Sequence, residues 1–171
     1  AAPFHLNLGI HYFRQRNLPA ARREFLAVLE TDSKVVVRSA QDRYNALLGL
    51  SSVSSAEGKL EEAWKYAEEA RHLMPHLGDA YRTLGGLMGR QGRYDEAEKL
   101  LRRALEINPS NASAHQNLGN ILMVRNELNA AESEYRSALE FDPRSSEIRI
   151  ALSLLLSRTN RSAEALSVLR E

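Results

Sequence analysis

The sequence predicts an all-α fold in which pairs of antiparallel helices stack into a solenoid. Two observations predict it: residues recur at a fixed offset of 34, and apolar residues within each period recur at helical spacing. A period of this length is typical of stacked supersecondary units, none of which buries its apolar face alone. Three series share the offset: Pro75, Pro109 and Pro143; Leu50, Leu84, Leu118 and Leu152; Ala63, Ala97, Ala131 and Ala165.

Composition argues against several classes of binding partner and excludes cysteine chemistry. The 171 residues include 23 basic and 22 acidic side chains, and a net charge of +1 argues against nucleic acid or an anionic membrane surface as the partner. The chain has no cysteine, so a disulfide framework and a thiolate metal site are excluded, and the redox compartment is left open. No apolar run approaches the roughly 18 residues of a membrane span, so we expect no membrane insertion.

The most regular unit is the segment 78–111. Its apolar residues predict a first helix of about residues 78–91, which Gly92 ends. A second amphipathic helix begins with Asp95 and Glu96, where carboxylates favour the positive end of the helix dipole, and it closes before Pro109. Two helices joined by a tight turn form an αα-hairpin.

The residues of this unit resemble the tetratricopeptide repeat signature. The pattern is Tyr81-x2-Leu84-Gly85-x2-Met88, then Ala97-x3-Leu101, then Pro109. The next unit repeats it with His115, Leu118, Gly119, Leu122, Ala131, Tyr135, Ala138 and Pro143. The resemblance covers nearly the whole chain and implies a right-handed superhelix of about five repeats whose first helices line a concave groove.

The other units match with departures. We expect one array over residues 1–171, with repeats at about 2–35, 36–77, 78–111, 112–145 and 146–171, the last incomplete or uncapped. In the second repeat Ser51 replaces the usual glycine and Ser54 replaces a large residue, while Ser33 replaces the proline of the first repeat.

Eight extra residues separate the first repeat from the best register of the second, which begins at Tyr44. Because the segment from Lys34 to Asp42 contains no Gly or Pro, we expect it to extend the second repeat's first helix backwards by about two turns. A loop remains the alternative for residues 34–43, since three consecutive β-branched valines, 35–37, are only moderate helix formers.

The two ends of the sequence suggest a longer natural protein. The chain begins with Ala1, Ala2 and Pro3, without a basic and apolar leader, so either a targeting signal was removed or the sequence is an excised fragment, which we favour. We expect a soluble protein of the cytoplasm or the periplasm, with the cytoplasm preferred. The last helix keeps apolar Leu166 and Leu169 without a capping helix. We therefore expect either more chain after it or a partner on that end, including a second copy of the chain.

No arrangement of side chains predicts catalysis, a metal site or a cofactor. His72 and His76 have the spacing of helical ligands, but Pro75 ends the helix between them. His5 and His115 stand where the repeat family has a large aromatic residue, so we expect packing roles for both. The paired carboxylates fall on polar helix stretches that are typical of solvated faces.

The resemblance also implies which residues face the groove. The candidate binding residues are Leu6, Ile10, Phe13, Leu48, Ser52, Arg82, Thr83, Arg90, Gln116, Asn117, Asn120, Met123 and Arg158. Neighbouring groove positions hold Asn7, Asn45, Asp79, Ile150 and Leu154. The surface is apolar at both ends, with amides and arginines suited to a peptide backbone or carboxylate between them. Tetratricopeptide repeats that bind the C-terminal carboxylate of chaperones share a set of lysine, arginine and asparagine residues spread over three repeats. Of that set this chain has only the central asparagine, Asn117.

The predicted function is a non-catalytic scaffold or adaptor that binds a peptide, a helix or a partner protein in the groove. One alternative is a recruiting arm of a larger transferase or hydrolase, or of a secretion or assembly complex. RNA binding is a weaker alternative, because one-base-per-repeat reading needs matching polar residues in every repeat. Arg82, Gln116 and Ile150 share one position and differ in type.

Overall fold

The computed structural model describes residues 2–32 and 40–170, which form helices joined by short turns. Within that part of the chain there are ten helices and no strand, which confirms the predicted all-α class. The helices are α1 (Ala2–Arg14), α2 (Leu18–Asp32), α3 (Ala40–Ala56), α4 (Leu60–Leu73), α5 (Gly78–Arg90), α6 (Tyr94–Ile107), α7 (Ala112–Val124), α8 (Leu128–Phe141), α9 (Ser146–Arg158) and α10 (Ser162–Arg170).

The helices fall into two compact units, Ala1–Leu87 and Met88–Glu171. In the first unit α1 packs on α2 and α3 on α4, and α3 also contacts both α1 and α2. In the second unit α7 packs on α8 and α9 on α10, while α6 contacts α7 and α8 contacts α9. Each unit therefore contains the predicted packing of adjacent helix pairs.

Helix boundaries agree with the expectation where turn residues define them. The predicted helix of about 78–91 is α5, and the predicted second helix is α6, which ends two residues before Pro109. Helix α3 begins at Ala40, so residues 40–43 are helical ahead of Tyr44. The rest of the proposed backward extension, residues 34–39, lies outside the described residues.

The turn inside each helix pair has the same backbone geometry. One residue adopts positive φ, its N–H bonds to the carbonyl three residues earlier, and the next N–H bonds to the carbonyl five residues earlier. This is the Schellman ending of a helix, which favours glycine or asparagine at the positive-φ residue. The residues there are Arg16, Gly58, Gly92, Asn126 and Asn160, with φ of 59°, 79°, 76°, 63° and 60°.

An aromatic ring packed against glycine organises the core of the first unit. Phe25 of α2 is 2% exposed, and a Cβ atom at Gly9 or Gly49 would lie 2.7 Å or 2.6 Å from its ring carbons. The second unit has the same contact between Tyr135 of α8 and Gly119 of α7, where a Cβ atom would lie 2.7 Å from the ring. Interiors packed this tightly fix the distance between the helices.

A half-buried ion cluster ties three helices of the first unit together. The guanidinium of Arg22 on α2 donates hydrogen bonds of 3.0 Å to Ser54 Oγ on α3, 2.8 Å to Glu57 Oε2 and 3.0 Å to Glu62 Oε2 on α4. Ser54 is fully buried. The serine at this unusual position therefore serves as an acceptor for the cluster, since burying a hydroxyl without a partner would be costly.

Hydrogen bonds within the cluster shift the pKa values of its charged side chains. The hydrogen bond from Arg22 is the largest cause of the lowered pKa of Glu62, and the hydrogen bond with Lys59, followed by that with Arg22, lowers the pKa of Glu57. Arg22 itself has its pKa raised, chiefly by Glu62. Both carboxylates therefore stay ionised below the ordinary carboxyl pKa of 4.5.

We expect Arg22→Met to lower the free energy of unfolding by about 2 kcal/mol at neutral pH. A carboxyl whose pKa is lowered by folding stabilises the fold fully above its ordinary pKa, and that contribution is lost as pH falls through the lower folded value. The variant should therefore lose less stability than the natural chain when denaturant unfolding, followed by circular dichroism, is repeated at falling pH below 4.5.

The same substitution at Arg43, whose ion pair with Glu69 joins two half-exposed side chains, provides the control. It should cost no more than about 0.5 kcal/mol, because exposed pairs contribute little. A pH profile of Arg22→Met parallel to that of the natural chain would contradict the role given to the cluster.

We expect Gly49→Ala to lower the free energy of unfolding by about 1 kcal/mol or more, because the new Cβ atom would overlap the Phe25 ring. Helix propensity alone would favour alanine by about 1 kcal/mol, so a net loss reports the overlap. In a Phe25→Leu background the same change should be neutral or stabilising. Equal losses in both backgrounds, measured by denaturant unfolding, would argue against the contact.

Candidate functional site

The first unit has a cavity on the face formed by α1 and α3, which we call the α1–α3 cavity. Its volume is about 420 Å³. Four of the predicted groove residues, Leu6, Ile10, Leu48 and Ser52, meet there. The complete lining is Leu6, Asn7, Ile10, Phe25, Asn45, Leu48, Gly49 and Ser52.

The floor of this cavity exists because of two residues that the groove prediction did not include. Gly49 has no side chain, so the Phe25 ring beneath it forms part of the lining. At the same position the later repeats have Thr83, Asn117 and Ala151. A glycine at a groove position of one repeat only was the available sequence signal.

Amide groups line the same cavity. Asn45 Oδ1 accepts a hydrogen bond of 3.1 Å from Gln41, and Ser52 Oγ donates one of 3.0 Å to the carbonyl of Leu48. Among the described residues, Asn7 and the amide nitrogen of Asn45 have no hydrogen-bond partner. An apolar floor with unengaged amides suits a ligand that has an apolar side chain and a peptide backbone.

Phe13, the remaining groove candidate of α1, lines a different cavity. That space lies at the turn between α1 and α2, with Arg14, Arg16, Leu18 and Ala56. Phe13 belongs to the last turn of α1, beyond the residues that face α3 at the first cavity. The structure thus separates Phe13 from Leu6 and Ile10.

Three candidates lie on α5. Arg82 is half-buried, with its Nε atom 3.4 Å from Asp79 Oδ1, and Thr83 donates a hydrogen bond of 2.8 Å to the carbonyl of Asp79. Arg90, in the last turn of the helix, is exposed. The Thr83 hydroxyl proton is therefore used within its own helix, whereas the Arg82 side chain retains donors for a ligand.

The second unit places its amides on α7. Gln116 and Asn117 are half-buried, and within the described residues neither side chain has a hydrogen-bond partner. Asn120 differs, because its Oδ1 atom accepts a hydrogen bond of 2.7 Å from the hydroxyl of Tyr135. Burial raises the pKa of that hydroxyl to about 12, so it stays protonated and able to donate at neutral pH.

The other candidates of the second unit differ in exposure. Met123 is half-buried, and exposed Arg158 donates a hydrogen bond of 3.2 Å to Asn126 Oδ1. Ile150 and Leu154 on α9 are 51% and 57% exposed. The second unit therefore presents a mixed surface of amides, one engaged arginine and exposed apolar side chains.

The two histidines expected to pack also form hydrogen bonds. His115 stacks on Phe141 with ring centroids 5.8 Å apart, and its Nδ1 and Nε2 atoms lie 2.6 Å from Glu134 Oε2 and 2.9 Å from the Pro109 carbonyl. His5 makes the matching contact, 2.8 Å from Glu24. Both partners follow 19 residues after the histidine, a recurrence that the sequence already contained.

The described residues contain neither a cluster of metal ligands nor a helix suited to cross a membrane. No group of three or more metal-ligating side chains comes together in residues 2–32 and 40–170. In the same part of the chain, none of the helices combines the length and the apolar character that a membrane crossing requires.

Two tetratricopeptide repeat family models match the sequence, one over residues 42–110 and the other over residues 89–146. Together they span more than half of the chain and include the most regular repeat, residues 78–111. Comparison with curated protein sequences gives no match.

Solved structures share the fold over nearly the whole chain. A thermophilic TPR protein of Thermus thermophilus superposes with a TM-score of 0.82 at 23% identity, covering 98% of this chain and 88% of that one. Pseudomonas aeruginosa pilF gives 0.79 at 18% identity, with 99% and 75% covered. MamA gives 0.66 at 20% identity, with 95% and 91% covered. The repeat signature, the paired helices and these matches agree, and the chain is a member of the tetratricopeptide repeat family.

Proposed function

We propose that this chain is a non-catalytic scaffold that binds an extended segment of a partner protein on the face formed by the first helices of its repeats. Protein interaction is the usual role of this fold. The observation that carries the proposal is the α1–α3 cavity, where apolar residues, the Asn7 amide and the amide nitrogen of Asn45 line one space between two repeats.

The lining of the cavity defines the kind of segment it would accept. Phe25, Leu6 and Leu48 offer an apolar floor on which one large apolar side chain could be buried. Asn7 and Asn45 can donate and accept hydrogen bonds, which suits the carbonyl and N–H groups of an extended backbone. The preferred ligand is thus a peptide with a large apolar residue between ordinary backbone amides.

The second unit supports the same function through its own residues. Gln116 and Asn117 stand one after the other on α7 with unengaged amides. Half-buried amides without partners are costly unless a ligand or water satisfies them. We propose that they form hydrogen bonds with the backbone of a bound segment, and that Arg82 does so within the first unit.

Ile10→Asp should weaken the binding of apolar peptides at least about tenfold, because a carboxylate would enter the α1–α3 cavity. The probes are peptides selected on the natural chain from a display library of random short peptides, and affinity is measured by fluorescence polarisation. Ile10 is 43% exposed, so the fold should persist, which circular dichroism can verify.

The matched control is Phe4→Asp on the same helix, where a residue that is 67% exposed lies outside the cavity. Its affinity should stay within about twofold of the natural value, because surface residues away from the contact contribute little. Selected peptides that bind both variants as tightly as the natural chain would refute the proposed site.

We also propose that α10 mediates self-association. Leu166 and Leu169 are 55% and 50% exposed on a helix whose Val168 packs against the core of the second unit. Exposed apolar side chains that lie close together commonly mark an interaction surface. A second copy of the chain could cover both leucines.

The double change Leu166→Glu and Leu169→Glu should shift a concentration-dependent dimer to monomer in sedimentation equilibrium. Val124→Glu is the control, because Val124 is 60% exposed in the same unit but lies on α7. A natural chain that is monomeric at all concentrations, or a dimer unaffected by the leucine changes, would contradict self-association through α10.

A further inference from the structure

A second cavity of about 450 Å³ lies at the turn between α1 and α2, outside the α1–α3 cavity. We call it the turn cavity. Phe13, Leu18 and Ala56 supply apolar lining, and Arg14 and Arg16 supply two guanidinium groups. All five residues belong to the first unit, and none of them lines the α1–α3 cavity.

Neither arginine of the turn cavity is engaged by an acidic side chain. Within residues 2–32 and 40–170, Arg14 and Arg16 have no ion pair and no side-chain hydrogen bond, and both are exposed. Glu57, which follows Ala56, is bonded to Arg22 at 2.8 Å and to Lys59 at 2.8 Å. Two cations thus stand beside an apolar space without a counterion from the described fold.

Arg16 occupies a backbone position that its own conformation disfavours. Its φ of 59° lies in the left-handed region, and the other four turns have glycine or asparagine there. A residue with a Cβ atom costs stability in this region relative to glycine, because the Cβ atom crowds the backbone carbonyl. No side-chain hydrogen bond or ion pair of the described fold offsets that cost, and such outliers often mark functional positions.

In the second unit a side-chain hydrogen bond is made at the equivalent turn. Asn126 holds the positive-φ position of the turn between α7 and α8, and Arg158 of α9 donates to its Oδ1 atom. Arg158 stands two residues before the positive-φ residue of its own repeat, as Ala56 does before Gly58. Replacing that arginine by alanine at residue 56 leaves the space beside Arg16 open.

We propose that the turn cavity binds an acidic peptide segment in which a carboxylate adjoins a large apolar side chain. Planar guanidinium groups bond carboxylates through paired N–H donors, and two of them can share one or two carboxylates. Phe13 and Leu18 would cover the apolar side chain between these charges. The site would act independently of the α1–α3 cavity.

The size and charge of the cavity favour a peptide over a nucleic acid or a membrane surface. About 450 Å³ is the size of a space for a small ligand or for one large side chain with its backbone. Polyanions instead need a basic surface that extends over several phosphates. The two arginines of this cavity, in a chain whose net charge is +1, are too few to form such a surface.

The test uses the whole chain, labelled with nitrogen-15, and the blocked tripeptide Asp-Phe-Asp. Its neutral counterpart Asn-Phe-Asn has the same shape without the charges. Two-dimensional NMR titration should show saturable shifts at the amides of Phe13, Leu18 and Ala56 with the acidic peptide. The neutral peptide should bind roughly tenfold more weakly, because hydrogen bonds to charged groups are the stronger class.

Arg14→Gln and Arg16→Asn should each weaken the acidic peptide roughly tenfold, while Arg144→Gln removes an exposed charge elsewhere and should change nothing. Arg16→Asn should also raise the midpoint of thermal unfolding, because asparagine tolerates positive φ. Loss of binding together with a gain in stability separates a binding role from damage to the fold.

Ala56→Arg is the most informative variant, because it adds a positive charge but would place a long side chain in the cavity, at the position that Arg158 holds in the second unit. Weaker binding supports the turn cavity, and tighter binding would show general electrostatic attraction and overturn it. Equal affinity for both peptides would also overturn the proposal, as would stronger binding of single-stranded DNA or anionic vesicles. Ile10→Asp should leave this binding intact, so the two sites fail separately.

Discussion

The close contact between an aromatic ring of a second helix and glycine of a first helix is the constraint on which both units depend. Phe25 fills the space left by Gly9 and Gly49, and Tyr135 does so beside Gly119. A methyl group at any of these glycines would lie within 3 Å of the ring. The contact sets the separation of the helices, and through it determines which first-helix side chains reach the surface.

Local sequence predicted the elements whose ends are fixed by nearby residues. Gly92 and Pro109 act within one helix turn of the boundaries they define, so the ends of α5 and α6 followed from them. Contacts between side chains of different helices were harder to predict. The bond between His5 and Glu24 depends on how two side chains are directed across a helix pair, which spacing alone does not specify.

The predicted groove residues were also placed correctly on the first helices, but their position in the repeat did not predict which cavity each one lines. Position in the repeat placed Leu6, Ile10 and Leu48 on the first-helix face, and the structure brings them to one cavity. It treated Phe13 as equivalent to them, although Phe13 lines the turn cavity. Whether a groove position borders a cavity is decided by small neighbours such as Gly49 and Ala56, which lie on the next repeat and carry no repeat signature.

Two side-chain hydrogen bonds of the second unit have no counterpart at the equivalent residues of the first unit. In the second unit the Tyr135 hydroxyl is bonded to Asn120, and Arg158 is bonded to Asn126. The equivalent residues of the first unit are Phe25 with Ile10, and Ala56 with Arg16, and neither pair can form such a bond. Both cavities that we assign to ligands lie at these two places.

The departures from the repeat therefore have a common physical consequence. At these two places the second unit bonds its polar groups to one another, whereas the first unit has Phe25 with Ile10 at one place and Ala56 with Arg16 at the other, and neither pair can form the bond. An unbonded Arg16 side chain in a strained backbone conformation lowers the stability that the repeat could reach. Since unfilled space and unpaired groups cost stability unless a ligand occupies them, the binding that we propose for the first unit would come at the expense of its stability.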